Sequence, residues 1–228
     1  GDRNVALGYE AMFTNTVGDR NVAIGMQALY SQNPASNTDM NNVAIGHSSA
    51  FNTTTGINNT AVGTNTLFAN TTGTLNVAVG AYALDANTTA NNNNSVGYGS
   101  LTNNTTGGNN CAFGRDALNE NQTAGNNSAF GHNALKANTT GTQNNAFGVE
   151  ALETNTTGSY NNAFGLRALE DNTTGNFNSA FGQEALRKCT TGTANSAIGS
   201  YALQKVTTGG SNTANGYVAG YNITTGSY

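Results

Sequence analysis

Charge is what this sequence has least of. Lys, Arg, Asp and Glu make up 9% of its 228 residues, against roughly a quarter in ordinary soluble domains. Eight Lys and Arg against twelve Asp and Glu leave a net charge of −4. That balance offers no basic face for nucleic acid. Large apolar residues are also scarce, with Leu, Ile, Val and Phe together numbering 38, below the ~20% that often marks disorder. The net charge is nevertheless too small for charge-driven disorder. No apolar run approaches the ~20 residues of a membrane span, and no signal-peptide pattern opens the chain. Tryptophan is absent and Pro34 is the single proline. The two cysteines, Cys111 and Cys189, lie more than four repeats apart, about 20 Å along a stacked fold, which excludes a disulfide between them.

What fills the gap is a repeat. Thirteen units begin at Asn4, Asn21, Asn42 and so on to Asn212, every spacing being 17 residues except Asn21 to Asn42, which is 21. The stretch from Asn161 to Gly175 shows the pattern N-x-A-Φ-G-x-x-A-L-x-x-N-T-T-G, followed by two spacers. Here Φ is a large apolar residue, and positions are numbered 1 to 17 from the first Asn. A 17-residue unit cannot bury a core alone. It suits one rung of a solenoid, in which each turn is stabilised by its neighbours. The expected fold is therefore one parallel β-solenoid over 1–228, with a four-residue insertion loop near 30–41. Gly1 and Tyr228 both fall inside a unit, which reads as a fragment of a longer fibre.

Within the rung, positions 1 to 5 alternate and carry a β-branched or aromatic residue at position 4, which predicts a short strand pairing with its neighbours at ~4.8 Å. Position 5 is Gly throughout, which implies positive φ or a close backbone approach. Positions 6 to 11, as in Val149–Thr154 and Gln183–Lys188, consist of helix formers, so one short helical or 3₁₀ turn is expected, with a second strand as the competing reading. Asn at position 1, and in eight units at position 12, suits hydrogen-bonded ladders running along the stack. Thr-Thr-Gly makes the corner. Glu150, Arg167 and Glu184 at position 7 alternate in sign over three rungs, as in-register stacking requires.

Each rung holds only about four apolar side chains, two of them Ala. Burial within one coil then falls short of the entropy lost in ordering seventeen residues. Both faces of the strand also look constrained, and the sequence does not show which one points inward. A homo-oligomer is expected, with three chains the favoured number.

The segments Asn21–Gly25, Asn42–Gly46 and Asn195–Gly199 resemble the N-S-V-A-I-G motif of YadA-like trimeric adhesin heads. The longer unit with A-L-x-x-N-T-T-G is similar to repeats of phage-type tail fibres. The likeness covers essentially the whole chain, although the 17-residue period is longer than that of the usual adhesin head. It implies a left-handed parallel β-roll, three chains about one axis, an extracellular location on a cell surface or virion, and a role in attachment. It transfers no binding residues.

No catalytic constellation is visible. His47 and His132 fall at position 6 five rungs apart, roughly 24 Å, too far to share a metal, so neither metal nor cofactor is expected. The repeated Asn-x-Thr sequons follow from the repeat itself. The expected function is attachment to a surface glycan or protein of a target cell, without membrane insertion by this segment. The candidate recognition surface is the insertion (Gln32, Pro34, Asp39, Met40) together with aromatics outside the core pattern, Tyr30, Tyr160 and Phe177. Local packing or contact between chains is the plainer explanation of those residues. A non-binding spacer is one alternative function. An ice-binding threonine array is another, opposed by the adjacency of the two threonines, whose side chains should point apart.

Overall fold

The computed structural model describes residues 1–226, so Ser227 and Tyr228 of the expected 1–228 span lie outside the described residues. The chain divides into two compact units, Gly1–Asn110 and Cys111–Tyr228. Each is a parallel β-solenoid of 17-residue rungs. In the first, β1 (Val5–Leu7), β3 (Val22–Ile24), β5 (Val43–Ile45), β6 (Thr60–Val62), β7 (Val77–Val79) and β8 (Asn94–Val96) pair in that order. A second short sheet there joins β2 (Gly18–Asp19) to β4 (Thr38–Asp39). The second unit stacks β9 (Cys111–Phe113), β10 (Ser128–Phe130), β11 (Asn145–Phe147), β12 (Asn162–Phe164), β13 (Ser179–Phe181), β14 (Ser196–Ile198) and β15 (Thr213–Asn215) in sequence order. Equivalent residues face one another, as Ala163 does Ala180 and Phe164 does Phe181. No helix is long and apolar enough to cross a membrane among the described residues.

The orientation of the strand settles which face points inward. Position 3 is the buried one: Ala23, Ala78 and Ala163 have no exposed surface. Positions 2 and 4 point outward and are half-buried or exposed. The apolar filling instead comes from position 9, where Leu29, Leu84, Leu152 and Leu186 are fully buried. In the rung from Asn93, Ser95 and Ser100 replace the alanines at positions 3 and 8. Their hydroxyls lie 2.5 Å apart, so each buried polar group meets the other.

The short helical turn expected at positions 6 to 11 is absent. Positions 7 and 9 sit in the left-handed region instead, with φ of 58° at Glu150, 53° at Leu152, 55° at Arg167 and 53° at Leu169. A helix would bond these amides within the rung, whereas here they bond to neighbouring rungs. The Glu150 amide donates to the His132 carbonyl at 3.0 Å, Leu152 to Ala168 at 3.0 Å and Thr154 to Glu170 at 3.1 Å. Left-handed backbone costs an L-residue roughly 1–2 kcal/mol. Full burial of the leucine side chain returns about 1.5–3 kcal/mol, and the cross-rung bond adds to that.

Two glycine positions have different causes. At position 5, Gly165 has φ +139°, and a Cβ there would lie 2.5 Å from the Gly182 carbonyl oxygen. At position 15, Gly158 has no unusual φ, yet a Cβ would meet Gly175 O at 2.4 Å and Asn155 Oδ1 at 2.5 Å. The second glycine is needed because the Asn ladder passes beside it.

That ladder is double and lies inside the coil. At position 1, the amide of Asn161 donates to Asn144 Oδ1 at 3.0 Å while its Nδ2 donates to Gly175 O at 2.8 Å. At position 12, Asn155 Nδ2 donates to Asn138 Oδ1 at 2.8 Å and to Gly158 O at 3.0 Å. The column breaks where Cys189 replaces Asn. Asn172 Oδ1 is then buried without a hydrogen-bond partner.

Candidate functional surface

The insertion contributes less surface than its sequence suggests. Gln32, Pro34 and Met40 are buried, so these three expected recognition residues face the interior, which corrects their placement. Gln32 takes over the ladder position, and its Oε1 accepts from Asn42 Nδ2 at 3.1 Å. Met40 fills the coil beside Gly18, where a glycine Cβ would come within 3.1 Å of the Met40 side chain. Asp39 stays exposed and pairs with Arg20 at 2.9 Å. The loop that projects is the short uncharged stretch Ala35, Ser36 and Asn37.

Tyr30 lies in a column that the sequence reading did not single out. Its ring stacks between Phe13 at 5.2 Å and Phe51 at 4.8 Å, and Phe51 stacks on Phe68 at 5.2 Å. All four stand at position 10 in the first four rungs, a recurrence that could have been read from the repeat. Tyr160 and Phe177 stack on each other at 4.9 Å and remain 47% and 61% exposed. Their inner faces cover one another, so an incoming group can reach only edges and outer faces. None of the expected recognition residues of the insertion lies in the same unit as this pair.

The outside of each unit has three faces of distinct chemistry. The strand face carries positions 2 and 4. In the second unit it displays stacked rings from Phe113 through Phe130, Phe147 and Phe164 to Phe181, with centroids 4.6–5.0 Å apart. In the first unit the same position holds Ile24, Ile45, Val62, Val79 and Val96. No charged residue occupies positions 1 to 5 of any rung.

In the second unit the turn face carries the charges, whereas in the first Asp2, Arg3, Asp19, Arg20 and Asp39 lie outside it. Arg167 Nε meets Glu150 at 2.6 Å and Arg187 Nε meets Glu170 at 2.5 Å, and Arg187 also reaches Glu184 at 3.2 Å. The hydrogen bond and charge of Glu150 push the Arg167 guanidinium above its ordinary pKa. Glu150, Glu153 and Glu170 bring carboxylate oxygens within 4.8 Å of one another. The two guanidiniums pair with Glu150 and Glu170, while Glu153 accepts from Asn133 Nδ2 at 3.0 Å. His47 and His132 are exposed on this face.

The third face is the Thr-Thr-Gly corner. At position 13 the hydroxyls turn back to the next rung, as Thr156 does to Thr173 O at 3.0 Å. At position 14 they are exposed. Apart from Asn52, the asparagines of the Asn-Thr-Thr sequons belong to the buried position-12 ladder, where Nδ2 groups such as those of Asn138, Asn155 and Asn172 are already bonded. A glycan on those atoms is incompatible with the folded coil. Neither a protein-family model, nor a curated protein, nor a solved structure matches this chain.

Proposed function

We propose that this chain is a segment of an extracellular, homotrimeric fibre, on a cell surface or a virion, that serves attachment to a glycan or protein of a target cell. The repeat acts as scaffold in this reading. The observation that carries it is the strand face, free of charge in every rung and apolar at position 4 from Leu7 to Ile198, yet half-exposed in the single chain. A contiguous exposed apolar surface of several hundred Å² normally marks a contact site. A face without charge, repeating at every rung, suits burial against identical faces. Five half-exposed phenylalanines expose roughly 400 Å² if each ring offers ~200 Å² in all. A stable interface needs about 800 Å² per partner, so that column with its position-2 neighbours is of adequate size.

The resemblance of the N-V-A-I-G segments to YadA-like heads, and of the longer unit to tail-fibre repeats, agrees with this assignment. Attachment itself falls to Tyr160 and Phe177, the exposed aromatic pair among the expected recognition residues. Glycan-array and cell-binding assays test it: the chain binds, and the Tyr160→Ala/Phe177→Ala variant loses binding while keeping its oligomeric mass. Burial of Gln32, Pro34 and Met40 favours a second reading, a spacer that binds nothing. Absence of binding to any array or cell by a folded oligomer would establish that reading instead.

A further inference from the structure

The position-14 threonines have no structural task that the fold reveals. The residue is Thr in consecutive rungs from Thr55 to Thr106 in the first unit, and from Thr123 to Thr225 in the second. All are exposed. The recurrent polar columns at positions 1, 12, 13 and 16 are used by the coil. Positions 1 and 12 form the Asn ladders, and position 13 caps carbonyls. Position 16 bonds across rungs, as Thr74 Oγ1 does to Asn91 Oδ1 at 3.0 Å. Among the described residues, the hydroxyls of Thr72, Thr89, Thr140, Thr157, Thr174 and Thr191 have no protein partner. A solvated corner would tolerate Ser, Asn, Lys or Glu in that place. From Thr55 onward only threonine occurs there, and with it a methyl as well as a hydroxyl, while the first rung has Val17.

The surroundings limit what this column can meet. From Thr54 onward no charged residue occurs at positions 13 to 17 of any rung, although charges are plentiful on the turn face. An ionic ligand finds nothing to pair with. The backbone beneath is fixed rung to rung by bonds such as Thr139 N to Thr156 O at 2.9 Å and Thr156 N to Thr173 O at 2.9 Å. The threonines therefore recur at the rung interval of about 4.8 Å. A compact ligand would need one rung, whereas a group repeated in every rung matches a ligand that is itself periodic and neutral. The adjacency of two threonines is no obstacle, because position 13 turns its hydroxyl inward and leaves position 14 alone outside.

The geometry points to ice, or water ordered as ice, as the ligand of the position-14 face. The hydroxyl joins the water lattice by hydrogen bonds, and the methyl occupies a space between lattice waters. This activity belongs to a different face from the strand face and from Tyr160 and Phe177, so it stands whether or not the chain is an attachment fibre.

The experiment uses the full chain in thermal-hysteresis and ice-partition assays. A triple variant, Thr140→Tyr with Thr157→Tyr and Thr174→Tyr, blocks the face. A control variant, His132→Tyr with Val149→Tyr and Leu166→Tyr, places the same bulk on the turn face, and circular dichroism checks that each is folded. The wild type should shape growing ice and enrich in it several-fold over an inert protein. The control should match it, and the triple variant should lose the enrichment. Replacing the three threonines by Val should retain more activity than replacing them by Ser, because the methyl is kept. A folded wild type that neither shapes ice nor enters it overturns the assignment. So does a triple variant that binds ice as well as the wild type, or binding to a neutral polysaccharide without any effect on ice.

Discussion

At the scale of single residues, the rung is fixed by groups that cannot be exchanged for close relatives. Gly165 combines a φ of +139° with a neighbouring carbonyl 2.5 Å from where a Cβ would stand. Gly165→Ala should therefore cost about 3 kcal/mol or more, measured by urea unfolding. An unchanged midpoint would mean that the rungs can slide apart. Cys189 is the opposite case, a residue the ladder would be better without. Replacing it by Asn gives the buried Asn172 Oδ1 a donor and should stabilise the chain by about 1 kcal/mol in thermal melts. The same thiol sets a pH response. Burial pushes its pKa from the ordinary 9.0 up to about 11. Its folded value thus exceeds its unfolded one, so its contribution is complete below pH 9 and declines as pH rises through about 11. The difference in stability between Cys189→Asn and the wild type should widen over that alkaline window, and a constant difference would count against thiol burial. The Asn ladders were legible in the sequence because an identical polar residue at a fixed period has few other uses.

At the scale of the element, the strand was legible and the turn was not. Alternation ending in Gly, as in Asn162–Gly165, reads as a strand in any context. The segment Val149–Thr154 has a composition that favours a helix, and propensity gives no warning that Glu150 and Leu152 adopt left-handed backbone. Their amides are bonded to other rungs, a non-local arrangement that a local reading of residues misses. The direction of position 4 was hidden for a related reason: Phe at period 17 says that the ring is constrained, but not whether the coil or another surface constrains it. The far-ultraviolet circular dichroism of the chain should show sheet and turn without a helical component, and a clear helical component would contradict the turn geometry. Leu152→Ala should cost about 2–5 kcal/mol, since the side chain is fully buried and leaves a cavity. Loss of Arg167 should matter far less. Its pairs with Glu150 and Glu170 lie on the surface, and any effect of Arg167→Ala on the melting temperature should vanish in about 1 M salt.

At the scale of the whole molecule, each unit has three faces: a turn face, which in the second unit holds the charges, a corner lined by threonines, and a strand face whose position-4 side chains are apolar with no charge beside them. The insertion is the one place where the repeat opens, and Ala35–Asn37 is where limited proteolysis should cut first. Cleavage elsewhere before that would argue against the tight packing of Met40 and Gln32. If the strand face is buried against other copies of the chain, the molecular mass in solution will report it. Multi-angle light scattering at micromolar concentration should give three times the chain mass for the wild type. Phe147→Asp, which puts a charge in the middle of the second unit's column, should give a folded single chain. A wild type that runs as a monomer with the same sheet signal, or an unchanged mass for Phe147→Asp, would mean that the strand face is not a contact between chains.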